Sequence, residues 1–261
     1  MFDTHAHLTN EFFNNIEEIV DSSKSFGLTG ILSCSTRQEN FNDNLELGHK
    51  YKNFIYPTIG IHPENAHEFS INYDKNIKFL RQFSVENRSN IFGIGECGID
   101  YYHSTEYENE QKRIFEEQIK LSLDLDLPLI IHTRNSKDPK YQSCILDGVQ
   151  ILKKYPGSKG VCHCFSGNLE EANNILDIGF FIGFTNIVTY KNSSSLKEVA
   201  EYAIKNYPNQ ILFETDAPYL PPSNNRGGKC FPIDVKNVYE LFDNLISKKQ
   251  ISSNIYNLFK I

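Results

Sequence analysis

Eight short apolar runs, each followed by a turn-like cluster and then an amphipathic stretch, constrain the fold of this 261-residue chain more than any other feature. The runs fall at 2–8, 30–34, 54–61, 91–96, 128–132, 160–164, 180–184 and 211–215. Several, such as Leu129-Ile130-Ile131 and Ile211-Leu212-Phe213, are too short for buried helices and rich in branched or aromatic residues, which reads as strand. Helix-like segments occupy 10–26, 38–51, 72–87, 108–126, 141–154, 168–178, 194–206 and 234–248. In the fourth, Ile114, Phe115, Ile119 and Leu123 repeat at helical spacing, while Glu116, Glu117 and Lys120 take the other side. Gly27, Gly30 and Pro156-Gly157 suit the returns from helix to strand. Eight strand–helix units in this length and order predict an α/β protein, a (β/α)8 TIM barrel formed by 1–261 as a single domain. A doubly wound open sheet is the alternative, because strand order is not written in the sequence.

Lys and Arg number 26 against 33 Asp and Glu, a formal charge of −7. A broad electrostatic footprint for nucleic acid requires a basic surface, so any nucleic-acid chemistry here must use a local site with its own cations. No stretch approaches the ~18 apolar residues of a membrane-spanning helix, and no leader is expected before the strand-like sequence that starts at Phe2. The six cysteines (Cys34, Cys97, Cys144, Cys162, Cys164, Cys230) form no Cys-x-x-Cys pair and sit mostly in apolar runs. They are expected to be reduced thiols of an intracellular, cytoplasmic protein. Cys162 and Cys164 flank His163, but strand alternation predicts that they face away from it into the core.

In a (β/α)8 barrel, chemistry belongs at the C-terminal ends of the strands. His5-Ala6-His7 places two histidines at i and i+2 on the first strand, with side-chain origins about 6.5–7 Å apart on one face. That spacing lets both imidazoles converge on one ion, although a lone pair of this kind is more often two surface or core residues. Four more ligand-type residues follow: Glu96 ends the fourth run, His132 ends the fifth, His163 lies in the sixth and Asp216 follows the eighth. Singly, each has a plain alternative: a satisfied polar group, a helix N-cap disfavoured here by Pro218, or a glycine-flanked turn. Their joint occurrence at five strand ends is what those alternatives leave unexplained. Imidazoles and carboxylates together bind Zn, Mn, Fe or Co, and six donors exceed the needs of one tetrahedral ion. Two ions about 3.5–4 Å apart would clamp the attacking and leaving oxygens of a displacement at phosphorus and acidify a trapped water. Glu96, central in strand order, is the natural bridge.

Seven ordered motifs carry a resemblance to a known family. They are Asp3-Thr-His-Ala-His-Leu8, Gly60-Ile-His-Pro63, Ile94-Gly-Glu-Cys-Gly-Ile-Asp-Tyr-Tyr102, Leu127-Pro-Leu-Ile-Ile-His-Thr-Arg134, His163-Cys-Phe-Ser-Gly167, Glu214-Thr-Asp-Ala-Pro-Tyr-Leu220 and Asn257-Leu-Phe259. The chain resembles, essentially end to end, the TatD family of metal-dependent nucleases within the amidohydrolase-like barrels. The resemblance implies a hydrolase of DNA phosphodiester bonds, acting as a 3'-5' exonuclease on single strands or strand ends. It implies two divalent ions (Mg, Mn or Zn) held by His5, His7, Glu96, His132, His163 and Asp216, with Asp216 and Glu96 catalytic. His62 would approach substrate phosphate, with a loop-stabilising hydrogen bond as its equal alternative. Arg134 and Arg226 are candidate phosphate clamps, for Arg226 against a solvated loop charge. Tyr101, Tyr102 and Tyr219 could stack bases or pack loops on the rim. The expected partner is DNA and not a membrane; a monomer is compatible with this, and the sequence does not set the oligomeric state.

One segment departs from the family. Where similar proteins commonly continue Arg-Gly-Lys-Arg-Asn-Glu-Pro, this chain reads Arg226-Gly-Gly-Lys-Cys-Phe-Pro232, which bears on substrate positioning or loop anchoring. A second reading is metal-dependent hydrolysis of an amide or ester, as in related barrels. Many of those bridge their ions with a modified lysine at strand 4, where this chain has Glu96. A third is a non-catalytic binding barrel, against which the intact ligand set argues.

Overall fold

The computed structural model describes residues 1–9, 12–138, 141 and 143–261. The strands are β1 (Phe2–Ala6), β2 (Gly30–Cys34), β3 (Ile55–Thr58), β4 (Ile94–Asp100), β5 (Leu129–Arg134), β6 (Gly160–Cys162), β7 (Phe181–Phe184) and β8 (Ile211–Phe213). The helices are α1 (Ile16–Phe26), α2 (Phe41–Lys50), α3 (Ala66–Ile71), α4 (Tyr73–Glu86), α5 (Glu108–Leu125), α6 (Cys144–Leu152), α7 (Leu169–Asp177), α8 (Ser194–Asn206), α9 (Lys236–Leu241) and α10 (Lys248–Phe259). Residues 10, 11 and 142 of the expected helical stretches 10–26 and 141–154 lie outside the described residues.

All strand pairs are parallel, in two ladders ordered β1-β2-β3 and β4-β5-β6-β7-β8. Isolated bridges join the ladders at both seams, Ile59 to Ile94 and Ala6 to Ala217. At the second seam His7 N–H donates to the Ala217 carbonyl (2.7 Å) and Asp216 N–H to the His5 carbonyl (2.9 Å). The strand order is therefore that of a (β/α)8 barrel, and the doubly wound alternative is excluded.

Strands enclosed on both sides must be apolar throughout, and Ile31, Leu32, Ile94, Leu129, Ile130, Val161, Ile182 and Leu212 are fully or almost fully buried. Each such side chain contributes about 1.5–3 kcal/mol of transfer free energy. The surrounding helices bury one stripe each. In α5, Ile114, Phe115 and Ile119 face the barrel, whereas Leu123, expected on that stripe, is about a third exposed. Helix α1 starts where the Asn15 side chain accepts from Glu18 N–H (3.2 Å) and ends at Gly27, whose φ of +94° suits a residue without a Cβ. Of the expected helix 234–248 only α9 is α-helical: the chain turns at fully buried Phe242, and α10, capped by Ser247 accepting from Gln250 N–H (3.1 Å), begins at the last expected residue and was not placed by the sequence.

Strand β4 runs past the expected end at Glu96 to Asp100, because Gly98, Ile99 and Asp100 stay in register with His132, Thr133 and Arg134 of β5. Gly98 has φ +138°, and a Cβ there would run into the His132 carbonyl oxygen. Glu96 is thus held inside a paired strand and not on a turn. Among the described residues, no helix is long and apolar enough to cross a membrane.

Candidate metal centre

The six ligand-type side chains converge at the C-terminal mouth. His5 lies on β1, His7 one residue beyond it, Glu96 within β4, His132 on β5, His163 directly after β6 and Asp216 after β8. His5 Nε2 and His7 Nε2 face each other at 3.3 Å, with Asp216 Oδ1 at 3.7 and 3.4 Å from them. Glu96 Oε2 stands 3.4 Å from His5 Nε2 and 3.5 Å from His7 Nε2. The other oxygen, Glu96 Oε1, faces His132 Nδ1 and His163 Nε2 at 2.8 Å each, and His62 Nε2 at 3.4 Å. One carboxylate thus addresses two groups of imidazoles.

The contact between His5 Nε2 and His7 Nε2 is closed either by one shared hydrogen or by a cation that both nitrogens ligate. Donors about 2.0–2.2 Å from one ion stand roughly 3–3.5 Å from one another, the spacing seen here. The donor set therefore fits divalent metal. His5, His7 and Asp216 lie close enough to hold one ion and His62, Glu96 and His132 another, while His163 stands with His5 and Glu96 between them; the Glu96 distances let its two oxygens serve both positions.

Buried partners orient these groups. His7 Nδ1–H donates to the Cys34 carbonyl (2.9 Å), leaving Nε2 free toward the centre. Glu214 accepts from Cys164 N–H (2.5 Å) and Thr4 Oγ1–H (3.2 Å) and stands 3.5 Å from His163 Nδ1. Asp3 accepts from Thr215 N–H (2.9 Å) and Thr215 Oγ1–H (2.6 Å), tying β1 to the end of β8. Asp100 Oδ2 lies 3.0 Å from His132 Nε2. None of these carboxylates stood out in the sequence. Asp100 and Glu214 were signalled only by an acidic residue at the tip of a strand, and Asp3, near the start of β1, only by its place in the motif of His5 and His7.

Burial and proximity set the charges. Burial alone would raise the Glu96 carboxyl, but His163, His62 and His5 outweigh it and hold it well below the usual carboxylate range. Asp216 is likewise lowered, its burial outweighed chiefly by the His7 hydrogen bond. Burial pushes the imidazoles of His5 and His62 down, favouring the neutral form a metal requires. His132 is pulled the other way: burial lowers it, but bonds to Asp100 and Glu96 lift it to about 9. A metal there must displace a proton.

Above the centre opens a cavity of about 710 Å³, lined by His7, Phe12, Glu64, His62, Arg134, Cys164, Asp216 and Tyr219 among others. His62 and Arg134 thus lie where a substrate would reach the centre. Arg226 is not among the lining residues; it is exposed, with its guanidinium 4.5 Å from the Tyr190 ring centroid. Tyr101 is buried and donates to Asp147 (2.6 Å), so it packs the rim. Tyr102 lies under the Arg134 guanidinium (3.8 Å), and half-exposed Tyr219 meets His7 and Phe12 edge-on. All six cysteines are free. Cys164 corrects the expected alternation: its φ of +48° breaks the strand pattern and turns it to the cavity beside His163. In the departing loop Lys229 Nζ donates to the Phe12 carbonyl (2.6 Å), Cys230 is buried, and Phe231 lies 5.9 Å from Phe13, so this segment anchors the loop after β1.

The model of the TatD related DNase family matches residues 2–260. A Bacillus subtilis protein, the uncharacterized metal-dependent hydrolase YabD, is 32% identical over 100% of this chain and 99% of its own length. The 3'-5' ssDNA/RNA exonuclease TatD of Pantoea ananatis is 28% identical over 87% of this chain and 82% of that protein. The crystal structure of YjjV, a TatD homologue from Escherichia coli, has a TM-score of 0.87 at 26% identity and covers 100% of this chain and 98% of that one.

Proposed function

The chain belongs to the TatD family of metal-dependent hydrolases, and from that premise we propose that it hydrolyses phosphodiester bonds in DNA, as a 3'-5' exonuclease on single strands or strand ends. The observation that carries this reading is the division of Glu96 between His5 and His7 on one oxygen and His132 and His163 on the other. Two divalent ions, one in each group, would polarise the phosphoryl oxygens and lower the pKa of water. His5, His7 and Asp216 hold the first position, His132 and His163 the second, and Glu96 both. Asp216, kept ionised by His7, takes the proton from the attacking water. His62 and Arg134 hold the phosphate in line from the cavity wall. Arg226 reaches phosphate only at a distance from the centre.

The formal charge of −7 favours contact with a few phosphates over a grip on long duplex. The name of the Pantoea relative, a single-strand exonuclease, supports the same substrate. The reading includes residues 1–261 acting as a single domain, in the cytoplasm, whose reducing conditions suit six free thiols. A 5'-labelled single strand incubated with Mg²⁺, Mn²⁺ or EDTA tests it. Metal-dependent laddering from the 3' end is expected. Cleavage of amide or ester substrates alone would replace this reading with the second, and silence on every substrate would leave a binding barrel.

A further inference from the structure

The loops after β8, β1 and β2 bring an aromatic pair and a guanidinium onto one arc of the mouth. Tyr219 follows β8 and Phe12 follows β1; their rings meet edge-on with centroids 5.8 Å apart, and Tyr219 stands edge-on to His7 at 5.9 Å. Arg37 follows β2, and all three side chains line the cavity above the centre. Tyr219 is 50% exposed, so an aromatic surface is offered directly beside a candidate metal ligand.

The local chain holds each of them. Tyr219 N–H donates to the Asp216 carbonyl (2.8 Å), which ties the ring's position to that ligand. The Phe12 carbonyl accepts from Lys229 Nζ (2.6 Å), so the segment that departs from the family secures the Phe12 loop. Arg37 is extended (φ −154°, ψ +160°), and the Thr36 carbonyl before it accepts from His62 N–H (2.8 Å) and Asn65 Nδ2–H (3.0 Å). Its Nε is buried, so the guanidinium leaves the wall in a set direction.

Charge decides what this arc can take. Among the described residues lining the cavity, the guanidinium groups are those of Arg37 and Arg134, against the carboxylates of Glu64, Glu96 and Asp216. Strands β2 and β5 are three apart in a ring of eight, so the two cations stand on different walls and serve different phosphates. Aromatic rings next to a guanidinium match the two parts of one nucleotide, a flat base and a phosphate. A strand ending in a 3'-hydroxyl carries its further phosphates on the 5' side of the bond that is cut.

We propose that Tyr219, Phe12 and Arg37 form a subsite for the penultimate nucleotide of a single strand, its base on the aromatic pair and its 5'-phosphate on Arg37. The subsite rests on the nuclease reading and adds to it a reason for single strands: a base reaches Tyr219 only when it is free of a duplex partner.

Binding is read by fluorescence anisotropy, with Mn²⁺ present, of a 5'-fluorescein oligothymidylate whose phosphorothioate linkages resist cleavage. Tyr219→Ala is expected to raise Kd about 5- to 100-fold. Most of that effect should vanish when the penultimate position is abasic, and persist when the terminal one is. Tyr219→Phe, which keeps the ring, should restore the dependence on the base. Arg37→Ala is expected to weaken binding and to lower the slope of log Kd against log salt by about 0.7, the share of one phosphate contact on a single strand. An unchanged slope, or a Tyr219→Ala effect that is the same with and without the penultimate base, overturns the subsite. A wild type that neither binds nor cleaves an unmodified strand with any metal overturns the nuclease reading and the subsite together. A wild type that cleaves it, while the variants keep its slope and its dependence on the base, overturns the subsite alone.

Discussion

Glu96 carries two oxygens into two sets of imidazoles, His5 and His7 on one side and His132 and His163 on the other. Replacing it by alanine removes a donor from each set and leaves the imidazoles to repel one another when protonated. Glu96→Ala is therefore expected to lower kcat at least ~100-fold and metal affinity about 10- to 100-fold. Cooperative urea unfolding should persist, since β4 pairs through its backbone. Steady-state rates with a titration of Mn²⁺ check this, and near-normal turnover would remove the bridging role. The six candidate ligands were legible because imidazole and carboxylate at the ends of apolar strands are chemically conspicuous. Glu214, Asp3 and Asp100 were not, because a carboxylate that only supports a neighbour has no spacing of its own to reveal it. Arg226 shows the converse: a cation in a familiar motif reads as a phosphate clamp, and its place over Tyr190, away from the residues lining the cavity, was not legible.

Strand β4 illustrates what sequence patterns convey about an element and what they omit. The apolar run 91–96 located the strand but began three residues before β4 does, and the extension to Asp100 depends on pairing with β5, which the assembled barrel supplies. The break between α9 and α10 was hidden for a similar reason: Phe242 fits a continuous helical stripe, but in the barrel it is buried at a turn. Gly98 is the position where strand pairing leaves no room. Gly98→Ala places a Cβ against the His132 carbonyl at φ +138°, so both steric overlap and backbone strain oppose it. A loss of roughly 3 kcal/mol or more is expected, read as a lower urea midpoint. An unchanged midpoint would mean that β4 and β5 separate there without cost.

At the scale of the whole molecule, the candidate ligands come from both ladders and from both sides of the β8–β1 seam, which is closed by the Ala6–Ala217 bridge and the Asp3–Thr215 bonds and not by a continuous ladder. Ions bound to His5, His7, Glu96 and Asp216 would tie that seam, so metal should stabilise the barrel as a unit. An ion at 100 times its dissociation constant adds about 2.7 kcal/mol. The pH dependence follows from the raised imidazoles. Against its own burial His132 is lifted from an ordinary 6.5 to about 9 by Asp100 and Glu96. Against theirs, His163 is raised in the same way by Glu96 with Glu214, and His7 by Asp216 with Glu96. In the metal-free protein the stability from the raised His132 value is fully present below about 6.5 and is lost as pH rises through about 9. Metal needs the neutral imidazole, so its affinity grows over the same window. Glu96 and Asp216, held below their ordinary values, stay ionised throughout and contribute no slope there. The gap in Tm between Mn²⁺-loaded and EDTA-treated protein is therefore expected to widen as pH rises from about 6.5 to 8.5. Differential scanning calorimetry at several pH values measures it. A gap that narrows with pH would show that protons do not compete with metal at His132, and a gap of zero would show that the ions do not tie the seam.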